Sequence, residues 1–120
     1  MTTRGVGIDA VDVARFARVI ARRPRLLTRL FTDQEIADSK GAHERLAARF
    51  AAKEALMKAL GLGMGSLKFR DIEVRRAATG QPSLVLHGDA ARRRGDGTAL
   101  HLSLTHTAQM ASAIVIAEQF

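Results

Sequence analysis

His43-Glu-Arg-Leu-Ala-Ala-Arg-Phe-Ala-Ala-Lys-Glu-Ala-Leu-Met-Lys-Ala-Leu60 is the stretch on which the fold turns. Leu46, Phe50 and Met57 mark a buried stripe along it, so the spacing predicts one long helix from about His43 to Leu60. Gly61-Leu62-Gly63-Met64-Gly65 ends that helix. Just upstream, Thr32-Asp33-Gln34-Glu35 opens a shorter helix that stops near Gly41. Thr32 caps it, Glu35 takes the capping-box position, and Phe31 with Ile36 forms the hydrophobic staple.

Further toward the N-terminus, Val6 and Ile8 alternate within residues 4–9, a short first strand ending at Asp9. From Asp12 onward, Val13, Phe16, Ala17 and Ile20 recur at helical spacing as far as Pro24. The other face carries Arg15, Arg18 and Arg22, and Arg25 and Arg29 extend the row if the helix bends at Pro24 rather than breaks. Toward the C-terminus the pattern changes to strands. Phe69 to Val74 and Ser83 to Leu86 flank the turn Thr79-Gly80-Gln81-Pro82, and Asp89 to Arg94 is a basic helical turn. Leu100, Leu102 and Leu104 alternate with His101, Ser103 and Thr105, and Ser112 to Ala117 is a more continuously apolar last strand. Residues 1–120 are expected to form one α+β domain, helices packed on a mostly antiparallel sheet.

Composition narrows the function. There is no cysteine, which excludes disulfides, thiolate catalysis and Cys-ligated metals. No apolar run approaches the roughly 20 residues of a membrane span, and the N-terminus lacks the apolar stretch of a signal peptide, so the cytoplasm is the expected compartment. With five Phe and no Trp or Tyr, the core falls to aliphatic side chains, and burial by oligomerisation would add to it. A net charge of +7 favours an anionic partner: nucleic acid, membrane surface, acidic protein or phosphorylated small molecule.

Four features could carry chemistry. Glu54 lies at the border of the apolar stripe beside Phe50 and Met57, where a carboxylate is costly unless compensated; an ordinary ion pair to Lys58 is the competing reading. Asp9 stands at a strand end before a helix, where turn or cap duty competes with a site. Together the two carboxylates could hold Mg²⁺, which takes one or two carboxylates and completes its shell with water and phosphate. His106 follows a strand among hydroxyls. Gly61, Gly63 and Gly65 could admit a phosphate, although a helix C-cap explains them as well. Finally, six arginines between Arg15 and Arg29, with no acidic residue among them, exceed what a solvated face needs.

In order along the chain, Gly7-Ile8-Asp9-Ala-Val-Asp12-Val-Ala-Arg15-Phe16, Phe31-Thr32-Asp33-Gln-Glu35, Arg49-Phe50-Ala51-Ala52-Lys53-Glu54-Ala55-Leu-Met-Lys58-Ala59, Asp71-Ile72-Glu73-Val74, Gly80-Gln81-Pro82 and Leu102-Ser103-Leu104-Thr105-His106-Thr107 resemble the holo-[acyl-carrier-protein] synthases, the small phosphopantetheinyl transferases. The likeness runs from about residue 5 to residue 117, with Thr105 where the family often has Ser. It implies the 4′-phosphopantetheinyl transferase fold and a homotrimer with sites between neighbouring subunits. It implies transfer of the 4′-phosphopantetheine arm of coenzyme A to a serine of an acyl carrier protein. Adenosine 3′,5′-bisphosphate would be released, in fatty acid or polyketide biosynthesis and so in lipid metabolism.

The resemblance also assigns roles. Asp9 and Glu54 match Mg²⁺ ligands, and Lys58 a residue that stabilises phosphate or leaving-group charge. Arg49 and Lys53 match positions near the nucleotide phosphates, and Gly61 and Gly63, from their spacing alone, stay candidates for the same coenzyme A site. Ser103 and His106 match residues that reach coenzyme A from the adjoining subunit. Arg15, Arg22 and Arg25 match the basic helix that meets the acidic carrier. The general base stays open, with water held by the metal preferred to Asp33, Glu35 or Asp38. A nucleic-acid-binding module is the rival class, but sheet-based single-strand binders stack bases on exposed rings, and only Phe69 starts a predicted strand. Neither nucleic acid nor membrane is therefore the expected partner.

Overall fold

Residues 1–120 are described by a computed structural model. Strand β1 (Thr2–Asp12) leads into α1 (Val13–Arg22), α2 (Arg25–Leu30), α3 (Asp33–Ser39) and the long α4 (His43–Ala59). A 3₁₀ turn (Phe69–Asp71) then introduces the hairpin β2 (Ile72–Arg76) and β3 (Pro82–Leu86), followed by α5 (Gly88–Arg94), β4 (Thr98–His106) and β5 (Met110–Gln119). β1, β5 and β4 form an antiparallel sheet in that order, and β2 with β3 a separate antiparallel pair. The α+β architecture is the expected one.

Helix α4 is the organising element, and it has no single stripe. Leu46, Ala47, Ala48, Ala51, Ala52, Ala55, Leu56, Met57 and Ala59 are all buried, because the sheet, α1, α3 and β2 surround it. Its alanines let neighbours come close. Gly5 and Gly7 of β1 face it so tightly that a Cβ on either would collide with the carbonyl of Ala59 or Ala55. β1 therefore turns its glycines inward and leaves Val6 and Ile8 on the outer face of the sheet, 55% and 64% exposed. Register carries the same outer face onto Ile114 and Ile116 of β5, and onto His101 and Ser103 of β4. On the inner face, Leu100, Leu102 and Leu104 pack against the core as their alternation implied.

The element ends follow local chemistry. Thr32 and Glu35 make the reciprocal capping box of α3. Asp12 caps α1 by accepting from the Arg15 N–H at 2.9 Å. Gly61, at φ 71°, closes α4: its N–H reaches the Lys58 carbonyl at 3.0 Å, while the Leu62 N–H reaches that of Met57 at 2.8 Å. This is the paired-bond cap that needs a left-handed residue. Gly61 thus has a structural duty, and Gly63 is simply exposed. At Pro24 the chain breaks rather than bends, with Arg23 leaving helical geometry at φ −131° and ψ 75°, so the arginine row is divided between α1 and α2. Residues 69–71 form a 3₁₀ turn where the sequence suggested strand, and β1 is longer than expected at both ends.

Candidate active site

Two polar clusters flank α4, one beside β1 and one beside β4. On the β1 side, Asp9 comes from the inner face of the strand and Glu54 from the helix. Both line a groove of about 700 Å³, with Arg15, Phe16, Phe50 and Phe69 among its walls. The groove is mostly apolar, so the carboxyls sit in poor solvent. Burial, and then the nearness of the Asp9 carboxyl, push Glu54 up to about 8, with Lys58 opposing the rise. Asp9 Oδ2 is buried and has no hydrogen-bond partner. Lys58 Nζ meets Asp9 Oδ1 at 3.3 Å and the Ile8 carbonyl at 2.8 Å. The sequence allowed a pair between Glu54 and Lys58, but the lysine reaches across to the strand instead.

An orphaned, buried carboxylate oxygen beside a second carboxyl suits a hard cation with oxygen ligands. No third His, Asp or Glu completes a cage. Mg²⁺ does not need one, since it keeps several waters and shares its shell with substrate phosphates. The residues present therefore fit Mg²⁺.

The second cluster lies where β4 ends. His106 and Thr105 share a pocket of about 340 Å³ with Arg45, Arg49 and Arg76. Arg49 is only 3% exposed, yet its Nε and Nη2 have no partner, while Nη1 donates to the Arg45 carbonyl at 3.2 Å. Burial lowers its pKa; Glu35 partly opposes this and Arg76 adds to it. A guanidinium so placed is short of an anion. Arg49 and Glu54 are five residues apart on α4, which turns them about 140° from one another. The resemblance put Arg49 near the nucleotide phosphates, and the structure sets it in one pocket with His106, away from Asp9 and Glu54.

Lys53 does not suit the phosphate contact the resemblance implied. Its Nζ is fully buried and donates to Glu35 Oε1 at 2.7 Å, the Leu30 carbonyl at 2.7 Å and the Phe69 carbonyl at 2.9 Å. All three donors of the ammonium are used. Glu35 is equally committed, accepting from the N–H groups of Thr32 and Val74 at 2.9 Å each, which removes it as a general base. Asp38 is bonded to Gln34, away from the groove. Ser103 lies on the outer sheet face, in a shallow depression with Ile8 and Ile114. Arg22 and Arg25 meet Arg23 and Arg29 at the corner between α1 and α2, whereas Arg15 stands in the groove wall with Asp9. Sequence reasoning missed Arg45 and Arg76, whose only signal was positive charge.

The arrangement of paired carboxyls, a nearby lysine and a separate basic pocket suits a substrate with several phosphates. Residues 5–113 match the family model described as the 4′-phosphopantetheinyl transferase superfamily. The chain belongs to that superfamily, among the holo-[acyl-carrier-protein] synthases. A curated holo-[acyl-carrier-protein] synthase of Clavibacter sepedonicus is 50% identical over 118 residues, covering 96% of this chain and 95% of that protein. The synthase of Bacillus anthracis, solved in complex with CoA (3′,5′-ADP), is 32% identical with a TM-score of 0.83, covering 100% of both chains. That of Helicobacter pylori, solved in complex with coenzyme A, is 31% identical with a TM-score of 0.84, covering 94% of this chain and 99% of that one.

Proposed function

We propose that this synthase transfers the 4′-phosphopantetheine arm of coenzyme A to a serine hydroxyl of an apo acyl carrier protein, with Mg²⁺ held by Asp9 and Glu54. The observation that carries the reading is the Asp9–Glu54 pair in one groove, with an unpartnered Asp9 oxygen and Lys58 on the other. The coenzyme A held by two similar synthases supports that substrate.

The serine oxygen forms a bond to the phosphorus that carries pantetheine. The bond from that phosphorus to the bridging oxygen breaks, the serine proton passes to water, and the bridging oxygen leaves with adenosine 3′,5′-bisphosphate. Mg²⁺, when bound, offsets charge on the diphosphate and orients it. Lys58, exposed enough to swing from Asp9, donates to anionic oxygen as charge builds on the leaving phosphate. The apolar walls, Phe16, Phe50 and Phe69 among them, keep water from the reacting phosphorus. Arg15 stands in the wall where the carrier serine must enter. The basic corner of Arg22 and Arg25 receives acidic side chains of the carrier.

The Arg49–His106 pocket takes nucleotide phosphate, but it opens on the other flank of α4. One copy therefore presents two half-sites. We take the complete site to lie between copies, in a homotrimer. The exposed Val6 and Ile8, continuous with Ile114 and Ile116, supply an apolar face for that contact. We place the reaction in the cytoplasm, in fatty acid or polyketide biosynthesis. The test is incubation with coenzyme A, Mg²⁺ and apo carrier, followed by intact mass. The carrier should gain one phosphopantetheine; no gain overturns the reading.

A further inference from the structure

Lys53 and Glu35 form a fully buried ion pair that touches none of the reacting groups proposed above. A pair of this kind is weak evidence for stability, since apolar side chains of similar volume often replace it at no loss. Its geometry says more. Nζ of Lys53 ties the α2–α3 junction, through the Leu30 carbonyl and Glu35, to the sequence-distant 3₁₀ turn, through the Phe69 carbonyl. The side chains of Leu30 and Phe69 are both walls of the groove that holds Glu54. Phe69 also stacks on Phe50 at 5.4 Å between ring centroids, and Phe50 lies one turn before Glu54 on the same helix face. Lys53 itself precedes Glu54 and sits 5.1 Å from the centre of the Phe31 ring.

From this geometry we infer that Lys53 is a positioning residue for the transfer reaction: from behind the groove it fixes Leu30 and Phe69, and with them the placement of Glu54. The two carbonyl bonds carry this function. Glu35 supplies the countercharge that lets the ammonium stay ionised in a buried place. The inference rests on the transferase reading, and the two can fail separately.

Two variants part positioning from stability. Glu35→Gln keeps Lys53 on both carbonyls but removes its countercharge. Its melting temperature should fall, while kcat below the melt stays within about threefold of the parent. Lys53→Met with Glu35→Gln removes both charges and leaves no ion unpaired. Its melting temperature should recover relative to Glu35→Gln, yet kcat should fall about tenfold to a hundredfold, the scale of a misplaced reacting group. The KM for coenzyme A, read as nucleotide binding on the other flank, should change less than kcat. Amide hydrogen exchange supplies a readout independent of activity: in the double variant it should quicken at residues 30–32 and 69–71 and not along α5. Turnover that simply tracks melting temperature through both variants overturns the inference, as does unchanged exchange at those segments. If the double variant does not fold, Glu35→Gln alone decides, because a kcat loss parallel to its instability is the contrary result. A parent enzyme that transfers nothing to the carrier removes the transferase reading, and the exchange pattern then stands or falls by itself.

Discussion

Helix α4 carries two lysines that each meet a carboxylate from another element, and the two pairs could hardly differ more. Lys53 and Glu35 are 2.7 Å apart with no exposed side-chain surface; Lys58 and Asp9 are 3.3 Å apart, with side chains 45% and 14% exposed. The inner pair has every donor matched, and burial pulls the Lys53 pKa down while Glu35 holds it up. The outer pair leaves one Asp9 oxygen without a partner and a lysine that faces solvent. A saturated pair fixes geometry. An unsaturated pair beside a groove is open to a cation and a phosphate. The same residue types on one helix therefore divide into frame and site according to what remains unpaired.

The sharpest way to break this comparison is to disable the outer carboxyls. Asp9→Asn and Glu54→Gln should each lower turnover by about 10³-fold, the upper scale for removing a preorganised electrostatic group, with unchanged circular dichroism. Activity within tenfold of the parent in both variants removes the metal assignment. Next come the lysines themselves. Lys58→Met should cost about 10²-fold in kcat but hardly move the melting temperature, since an exposed pair contributes about 0–1 kcal/mol. Lys53→Met should do the reverse in stability. It strands the buried Glu35 charge at a cost of about 3–5 kcal/mol, and so lowers the melting temperature by more than about 10 °C. Equal thermal losses in the two variants, followed by differential scanning calorimetry, would erase the distinction between frame and site.

Much of this frame was legible in the sequence, and the reasons are local. The Thr32–Glu35 capping box spans one turn, and the Leu100, Leu102 and Leu104 alternation needs only a sheet with one packed face. Asp9 and Glu54 were singled out by their positions and by the resemblance, and both line one groove. The order of faces was hidden. Val6 and Ile8 mark β1 as a strand, but which side they take depends on Gly5 and Gly7 fitting against α4. Spacing along α4 gave a narrow stripe where the helix is buried over most of its circumference. Nor could it say that Lys53 would meet Glu35, 18 residues earlier, or that Arg49 would share a pocket with His106. Those are long-range contacts, fixed only when the sheet closes on the helix.

The β4-side pocket offers a gentler test of the same logic. Arg49→Ala removes a guanidinium with two unpartnered nitrogens and no internal ion pair to lose. The KM for coenzyme A should rise about tenfold, equivalent to about 1.4 kcal/mol, with kcat little changed. His106→Ala mixed with Asp9→Ala should recover part of the activity if the two half-sites meet between copies. A kcat loss in Arg49→Ala comparable to that of Lys58→Met would put both flanks in one chemical step and dissolve the separation drawn here.

The smallest expected effect concerns pH and the metal-free protein. Glu54 is raised from 4.5 to about 8, first by burial and then by Asp9. The folded state thus holds a proton that the unfolded state releases, so stability must fall as pH rises between those two values. The contribution is complete below about pH 4.5 and gone above about pH 8. Glu73, the other shifted carboxylate, moves the opposite way. Burial works against it, but bonds from His87, Thr32 and Arg75 hold it below the usual range. Its contribution is therefore lost only on the acid side, outside this window. Glu54→Gln cannot ionise, so the variant should match the parent near pH 5 and exceed it at pH 8.5. Solvent reaches Glu54, which screens the effect to about 1 kcal/mol, a few degrees of melting temperature. Added Mg²⁺ should raise the parent and not the variant, because the cation offsets the repulsion between the two carboxylates that Glu54→Gln removes. Identical melting curves across pH 5 to 8.5, with and without Mg²⁺, would mean that Asp9 and Glu54 do not face each other closely enough to interact or to hold a cation.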